Sequence, residues 1–321
     1  MALFFEALFF SKTYLLADKS ALCVIYKSGL IQSRQSADVL ILGRSRGLAI
    51  DAKGLEQSLD ERLTVCNLAL PSLATDLQLY LILKKYLGFC KKPQLIIAEE
   101  QPESFCERAE DDLKVVDKPR LRRFVSFRAL WGEVPLSQLL TVLPDYAKNM
   151  IPSMNYSYFI KTFLSKKNIG LFTASMDRGE SIIKDLRSTN GQLLYLQNSV
   201  VSDEEIQMNF PKDPRMDRIR NFEKFVALCD KNEIRTVFMM MPIHRARYDE
   251  MRRLGWFDYI DGQMERLKKK YKHFEYYKIN DLSFEEKYFA DWSHLNEVGV
   301  HKFNEAFKIR LKALLPTPTA A

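Results

Sequence analysis

Five short apolar runs alternate with segments of helical periodicity, and this alternation limits the folds open to the chain more than any other feature. The predicted strands lie at 39–43, 63–68, 94–99, 235–241 and 274–279. Helical patterns follow them at about 46–59, 73–88, 217–232, 257–272 and 297–314. Strands that are apolar almost throughout are buried on both faces, as in a parallel sheet with right-handed crossover helices. The alternation therefore predicts an α/β protein, a three-layer α/β/α sandwich around a mostly parallel sheet of five strands.

The alternation stops between residues 101 and 214, where helical pieces at about 136–149 and 156–167 are separated by prolines. A stretch of this length is too long for a connecting loop. We predict a helical insertion over one edge of the sheet, which acts either as a cap that shapes substrate access or as a purely structural subdomain.

The insertion divides the predicted α/β domain into residues 37–100 and 215–315. Residues 1–36 are predicted to form an amphipathic helical segment, and 316–321 a disordered tail. The apolar start of the chain is interrupted by Glu6 and Lys12, which makes it a poor membrane span. It either covers the core or lies on a membrane surface as an interfacial helix, so peripheral membrane contact is one expectation.

Location and partners follow from charge and cysteine usage. No basic leader with a small-residue cleavage site precedes the domain, and the five cysteines are widely scattered. We therefore expect a cytoplasmic or membrane-associated protein without a cleavable signal peptide.

The net charge is +7, with basic runs at 118–123 and 268–272 that are either solvated faces or surfaces for an anionic membrane or acidic glycan. No nucleic-acid-binding motif accompanies them, so nucleic acid is not expected as a partner.

The sequence lacks the patterns that hold common cofactors. No CxxC or Cys/His spacing indicates a metal site, and no glycine-rich phosphate-binding motif follows any predicted strand. We therefore predict no metal and no organic cofactor, and a nucleotide-binding α/β protein is disfavoured.

The segment DVLILGRSRG at 38–47 places Ser45 between the end of the first strand and the start of the first helix. Ligands of open parallel sheets bind beyond the carboxyl ends of the strands. A helix start also offers backbone N–H groups to a developing oxyanion. Gly43 is expected to allow a sharp turn and the close approach of a substrate to the backbone. The alternative is that Ser45 merely caps the helix.

Near the other end of the chain, DWSHLN at 291–296 places Asp291 three residues before His294. The carboxylate is positioned to orient the imidazole as a general base. A serine, a histidine and a carboxylate are together sufficient for nucleophilic acyl chemistry. The alternative is that Asp291 or Ser293 caps the last helix while His294 packs beneath it.

Taken together, the two segments resemble the SGNH (GDSL-like) hydrolase superfamily over about 38–100 and 217–314. Its G-x-S block corresponds to Gly43, Arg44 and Ser45, and its D-x-x-H-L-N-x-x-G block to Asp291, His294, Leu295, Asn296 and Gly299. The resemblance is closest to a bacterial branch similar to polysaccharide and cell-wall O-acyltransferase-like proteins. It implies the three-layer fold, with Ser45 as nucleophile, His294 as base and Asp291 as its orienting acid. The implied function is a serine esterase or O-acyltransferase acting on a small-molecule or glycan ester, such as an acetylated carbohydrate.

The chain departs from the family pattern in its oxyanion hole. Family members use the serine N–H, a glycine N–H after the second strand and an asparagine in a G-x-N-D block after the third. This chain has Ala69 and Ser72 in the second segment and lacks the G-x-N-D block in the third. We therefore expect the Ser72 N–H and the Gln101 amide as substitutes. The same departures support a second function, a catalytically impaired binding or scaffold protein.

Four further residues are predicted to contact substrate. Arg44 and Arg46 flank Ser45, where one of them could hold an anionic group, with solvent exposure as the alternative. His244 and Arg245 follow the fourth strand at the same rim, with simple loop packing as the alternative.

Overall fold

A computed structural model describes residues 19–59, 62–71, 76–106, 169–194, 219–278 and 283–314, with five isolated positions between 131 and 140. Four sequence predictions lie outside the described residues, wholly or almost so. They are the first half of the N-terminal segment, the helices at 136–149 and 156–167, the tail at 316–321, and Ser72.

The centre of the fold is a parallel sheet of five strands in the order β2-β1-β3-β4-β6. The strands are β1 Val39–Leu42, β2 Val65–Asn67, β3 Leu95–Glu99, β4 Arg235–Met239 and β6 Phe274–Tyr277. Val39 pairs with Val65 on one side and with Leu95 on the other. All five predicted strands are confirmed. A second sheet pairs β5 Ile243–His244 with β7 Ser283–Phe284, strands too short to leave a periodic pattern.

Eight helices accompany these strands in the described part of the chain. They are α1 Lys19–Gln32, α2 Ala52–Leu59, α3 Asp76–Phe89, α4 Ile169–Ser188, α5 Ile219–Lys231, α6 Arg245–Arg253, α7 Trp256–Lys270 and α8 Glu297–Leu314. Short 3₁₀ turns lie at Gly47–Ala49, Pro102–Cys106 and Glu286–Tyr288. None of these helices combines the length and the apolar character that a membrane span requires.

The sheet is covered on both faces because alternate strand residues point to opposite sides. Leu40, Ile96 and Phe238 belong to one apolar cluster, which includes buried side chains of α1, α3, α5 and α7. Ile41 and Val237 belong to the other, with buried side chains of α2 and α8. The predicted three-layer α/β/α sandwich is therefore confirmed.

The described end of the predicted insertion covers the edge strand β2. The Asn67 N–H donates to the Asn190 carbonyl (2.9 Å), and the Leu193 N–H donates to the Leu48 carbonyl in the turn after β1 (2.9 Å). Gly191 has φ = 94°, and a Cβ added there would lie 2.3 Å from the Asn67 carbonyl oxygen. This turn after α4 thus occupies both the sheet edge and the loop that carries Ser45.

Helix α8 is fixed to the segment between β1 and α2 by the buried side chain of Asn304. Its Nδ2 donates to the Ala49 carbonyl (3.1 Å), and its Oδ1 accepts from the Asp51 N–H (3.0 Å). Lys308, one turn further along α8, pairs with the Asp51 carboxylate at 3.3 Å. These contacts join the first and last predicted elements of the α/β domain.

We expect Asn304→Ala to lower the free energy of unfolding by about 1–3 kcal/mol, because the Asp51 N–H and the Ala49 carbonyl each lose a hydrogen-bond partner. Urea denaturation of the variant beside His301→Ala, an exposed position on the same helix, measures the difference. Equal stability of the two variants would contradict the role assigned to Asn304.

Candidate active site

The strand order reverses between β1 and β3, and the crevice beyond their carboxyl ends is where open α/β sheets bind ligands. A small cavity lies at this edge of the sheet. Its lining residues are Ser45, Arg46, Ala49, Met241, Pro242, Ser293, His294 and Leu295. Its volume of about 10 Å³ is roughly the room of one water molecule. Ser45 and His294, from opposite ends of the chain, therefore line one cavity.

Ser45 lies in the turn after β1 and is the one residue of 41–50, all of them described, that is not buried. The 3₁₀ turn that follows it has no side-chain cap, and α2 is capped instead by Asp51, whose Oδ1 accepts from the Gly54 N–H (2.9 Å). The interpretation of Ser45 as a helix cap is therefore wrong. None of the described residues accepts a hydrogen bond from the Ser45 N–H, so this donor is available to a ligand.

The turn that carries Ser45 is held by hydrogen bonds to the carboxylate of Glu99, at the end of β3. Its Oε2 accepts from the Arg44 N–H (3.0 Å) and from the Gly47 N–H (3.1 Å), on either side of Ser45. A Cβ added to Gly43 would lie 2.7 Å from the Glu99 carbonyl oxygen and 2.8 Å from its Oε2. The close approach of Glu99 thus requires a glycine at position 43, a reason that the sequence alone did not indicate.

The carboxyl group of Glu99 titrates near neutrality. Burial raises its pKa and the adjacent Glu100 raises it further, while Arg46 and the Arg44 N–H oppose them, and the resulting pKa is about 7. The turn that carries Ser45 therefore rests on a group that changes its charge within the physiological pH range.

The acid and the base are fixed to each other by a local hydrogen-bonded turn. Asp291 Oδ1 accepts from the backbone N–H groups of Ser293 (2.7 Å) and His294 (2.8 Å), and Oδ2 lies 2.7 Å from His294 Nδ1. Partial burial raises the pKa of Asp291, but the hydrogen bonds from His294 and these N–H groups outweigh it and lower the pKa to about 2. An ionised Asp291 keeps the imidazole proton on Nδ1, which makes Nε2 the basic nitrogen.

Helix α8 begins only after this turn and has its own cap. Asn296 Oδ1 accepts from the Gly299 N–H (3.0 Å), and its Nδ2 donates to the Lys287 carbonyl (2.8 Å). A Cβ on Gly299 would lie 2.2 Å from the Tyr288 carbonyl oxygen. The interpretation of Asp291 or Ser293 as the helix cap is therefore wrong, since Asn296 fills that role.

Of the predicted oxyanion donors, Ser72 lies outside the described residues. Gln101 is half-buried, its backbone N–H donates to Ser104 Oγ (3.3 Å), and it does not line the cavity. The Ala69 N–H is already bound to Asn67 Oδ1 (3.0 Å). Of the residues considered for the oxyanion hole that the structure describes, Ser45 is thus the one that lines the cavity.

The predicted substrate-binding residues have different surroundings. Arg44 is buried and paired with Glu100 (Nε to Oε2, 2.6 Å), which also accepts from Ser104 Oγ. Solvent exposure, the alternative for Arg44 and Arg46, is therefore wrong, because both side chains are buried. His244 is buried in β5 and does not line the cavity.

Arg245, by contrast, is exposed at the start of α6 and does not line the cavity, so it does not lie at the predicted substrate site. The chain turns through β5 after β4 ends, and this brings Arg247 inward instead.

Sequence reasoning missed a buried charge cluster beside Ser45. Arg247 contacts Glu103, and Arg46 lies 3.6 Å from the same carboxylate. Burial would raise the pKa of Glu103, but Arg46 and Arg247 lower it. The sequence feature that could have predicted this cluster is the run EEQPE at 99–103. Its acids stand at the end of one buried strand, and the arginines of GRSR stand at the end of another.

No protein-family model and no curated protein matches this sequence. Among the described residues, no group of three or more His, Cys, Asp or Glu side chains is arranged to hold a metal ion. The arrangement that the site does contain is a serine hydroxyl and a histidine–carboxylate pair at one cavity, which is chemically suited to nucleophilic acyl transfer.

Because the pKa of Glu99 is raised to about 7, the folded protein binds more protons than the unfolded chain between about pH 4.5 and pH 7. Its stability should therefore fall across that window by about 3 kcal/mol relative to Glu99→Gln, which cannot titrate. Urea denaturation at a series of pH values measures the two slopes.

Glu286→Gln, the same substitution at an exposed position in the 3₁₀ turn before α8, is the matched control, and its slope should equal that of the wild type. Parallel slopes for the wild type and Glu99→Gln would refute the assignment.

Proposed function

We propose that this protein is an SGNH-like serine esterase or O-acyltransferase in which Ser45 is the nucleophile, His294 the general base and Asp291 the residue that orients it. One observation carries the proposal. Ser45 and His294 line the same cavity at the carboxyl edge of the sheet, and Asp291 Oδ2 lies 2.7 Å from Nδ1 of His294.

In the proposed reaction, Ser45 Oγ attacks an ester carbonyl while His294 Nε2 takes the hydroxyl proton. The tetrahedral oxyanion accepts a hydrogen bond from the Ser45 N–H. When the intermediate collapses, His294 returns the proton to the departing alcohol and the acyl group remains on Ser45. A water molecule, or a sugar hydroxyl in the transferase version, then gives its proton to His294 and releases the acyl group by the reverse sequence.

The substrate proposed is a small acyl ester, with acetyl on a carbohydrate as the leading example from the family resemblance. Hydrolysis and transfer share the same acyl-enzyme, so both belong to the proposal.

A second candidate is a binding or scaffold protein of the same fold with impaired catalysis. The observation that favours it is the Ala69 N–H, which is bound by Asn67 at the position where the family offers an oxyanion donor. Loss of one such donor typically lowers kcat by about 10²–10³-fold. A slow enzyme and an inactive relative are therefore the two readings that a direct experiment must separate.

A fluorophosphonate probe is expected to label the wild-type protein covalently at Ser45, as identified by peptide mass spectrometry. Ser45→Ala should abolish the labelling, and His294→Ala should slow it by about 10²–10⁴-fold, because the general base is lost. Ser33→Ala removes an exposed serine in the segment between α1 and β1, and this variant should label like the wild type. Absence of labelling in folded wild-type protein would favour the scaffold candidate.

Asp291→Asn should slow labelling by roughly 10³–10⁴-fold, because an amide at this position can stabilise the wrong imidazole tautomer. Asp258→Asn, which makes the same substitution at an exposed position of α7, is the control and should label at the wild-type rate. Labelling of Asp291→Asn at the wild-type rate would remove Asp291 from the mechanism.

A further inference from the structure

The guanidinium group of Arg46 has an unusual environment for a buried charge. Arg46 is 3% exposed and lines the cavity that Ser45 and His294 share. None of its three guanidinium nitrogens has a hydrogen-bond acceptor among the described residues. Buried polar groups are nearly always hydrogen-bonded, so a donor set of this kind is typical of a site that a ligand completes.

The nearest counter-charge does not satisfy this group. Glu103 approaches Arg46 only to 3.6 Å, and the same carboxylate contacts Arg247. Arg46 therefore shares its nearest carboxylate with a second guanidinium group. Arg44 differs, since its Nε donates to Glu100 at 2.6 Å. Within the Arg46–Glu103–Arg247 cluster, Arg46 has no hydrogen-bonded ion pair of this kind.

This cluster lies between the two halves of the candidate active site. Arg46 directly follows Ser45 in the chain. Arg247 stacks on Trp292, with its guanidinium carbon 4.3 Å from the ring centroid, and Trp292 belongs to the turn that carries Asp291 and His294. An anion held by Arg46 would thus be next to both reacting side chains.

We propose that Arg46, supported by Arg247, forms an anion-binding subsite beside Ser45, and that the ester substrate carries a carboxylate or a phosphate group. The planar guanidinium fork matches the oxygens of either group in a bidentate contact. The statement about the ester rests on the proposed function, whereas anion binding itself does not.

Anion binding is tested without catalysis by thermal unfolding at constant ionic strength. Inorganic phosphate and succinate are titrated separately into the wild type and Ser45→Ala, with sodium chloride as the ionic-strength control. One of the two anions should raise Tm saturably in both proteins. Arg46→Gln should weaken that anion by about 10–100-fold, and Arg245→Gln, which changes an exposed arginine nearby, should not.

Glu103→Gln should change the anion affinity in the opposite direction to Arg46→Gln. It therefore tests the proposal even if Arg46→Gln does not fold. Removing this carboxylate takes away the negative charge beside Arg46, so the anion should bind roughly tenfold more tightly. A structural role for the cluster predicts lower stability in this variant but no gain in anion affinity.

The kinetic test compares an aryl acetate with an aryl ester whose acyl group ends in a carboxylate, and with one whose alcohol bears a phosphate. The wild type should prefer one charged ester, and Arg46→Gln should lose about 10–100-fold of that preference, measured as the ratio of kcat/KM for the charged ester to kcat/KM for the neutral ester. Tm insensitive to both anions would overturn the subsite. Saturable anion binding without fluorophosphonate labelling would keep the subsite and remove the esterase, so the two failures are distinguishable.

Discussion

The carboxylate of Glu99 is the contact on which the geometry of the site depends. By accepting the N–H groups of Arg44 and Gly47, it fixes the backbone on both sides of Ser45 and points the hydroxyl-bearing residue out of an otherwise buried segment. Charged acceptors form the strongest bonds to backbone N–H groups, but burial favours the neutral acid. The pKa of about 7 reflects that balance. The carboxylate lies so close to the end of β1 that position 43 has no room for a side chain, which is why it is a glycine.

Two buried asparagine side chains also hold the segment that follows Ser45, because a side-chain amide can both donate to and accept from the backbone. Asn67, at the end of β2, donates to the carbonyls of Gly47 (2.9 Å) and Ile50 (3.0 Å). Asn304 reaches the same segment from α8. The Ser45 turn is therefore held from β2, β3 and α8, three elements that come from both ends of the sequence. This bracing explains how residues so distant in the chain come to line one cavity.

The sequence was informative where interactions are local or periodic. Buried parallel strands have apolar patterns of their own, and Asp291 lies close enough to His294 for their pairing to follow from spacing. The predicted helix at 46–59 was wrong in its first half, because Glu99 and Asn67 hold a 3₁₀ turn there and Asp51 starts α2 anew. The burial of the two arginines beside Ser45 depends on acids that follow β3, and such pairings become visible only once the strand order is known.

The charges at the site form one coupled system. Arg46 stabilises the ionised form of Glu99, and it also lies 3.6 Å from the carboxylate of Glu103. An anion bound to Arg46 would neutralise part of that field and make ionisation of Glu99 more costly. By linkage, ionisation of Glu99 must weaken anion binding to the same degree. An anion at the proposed subsite and the charge of Glu99 would thus be alternative partners for the buried guanidinium group of Arg46.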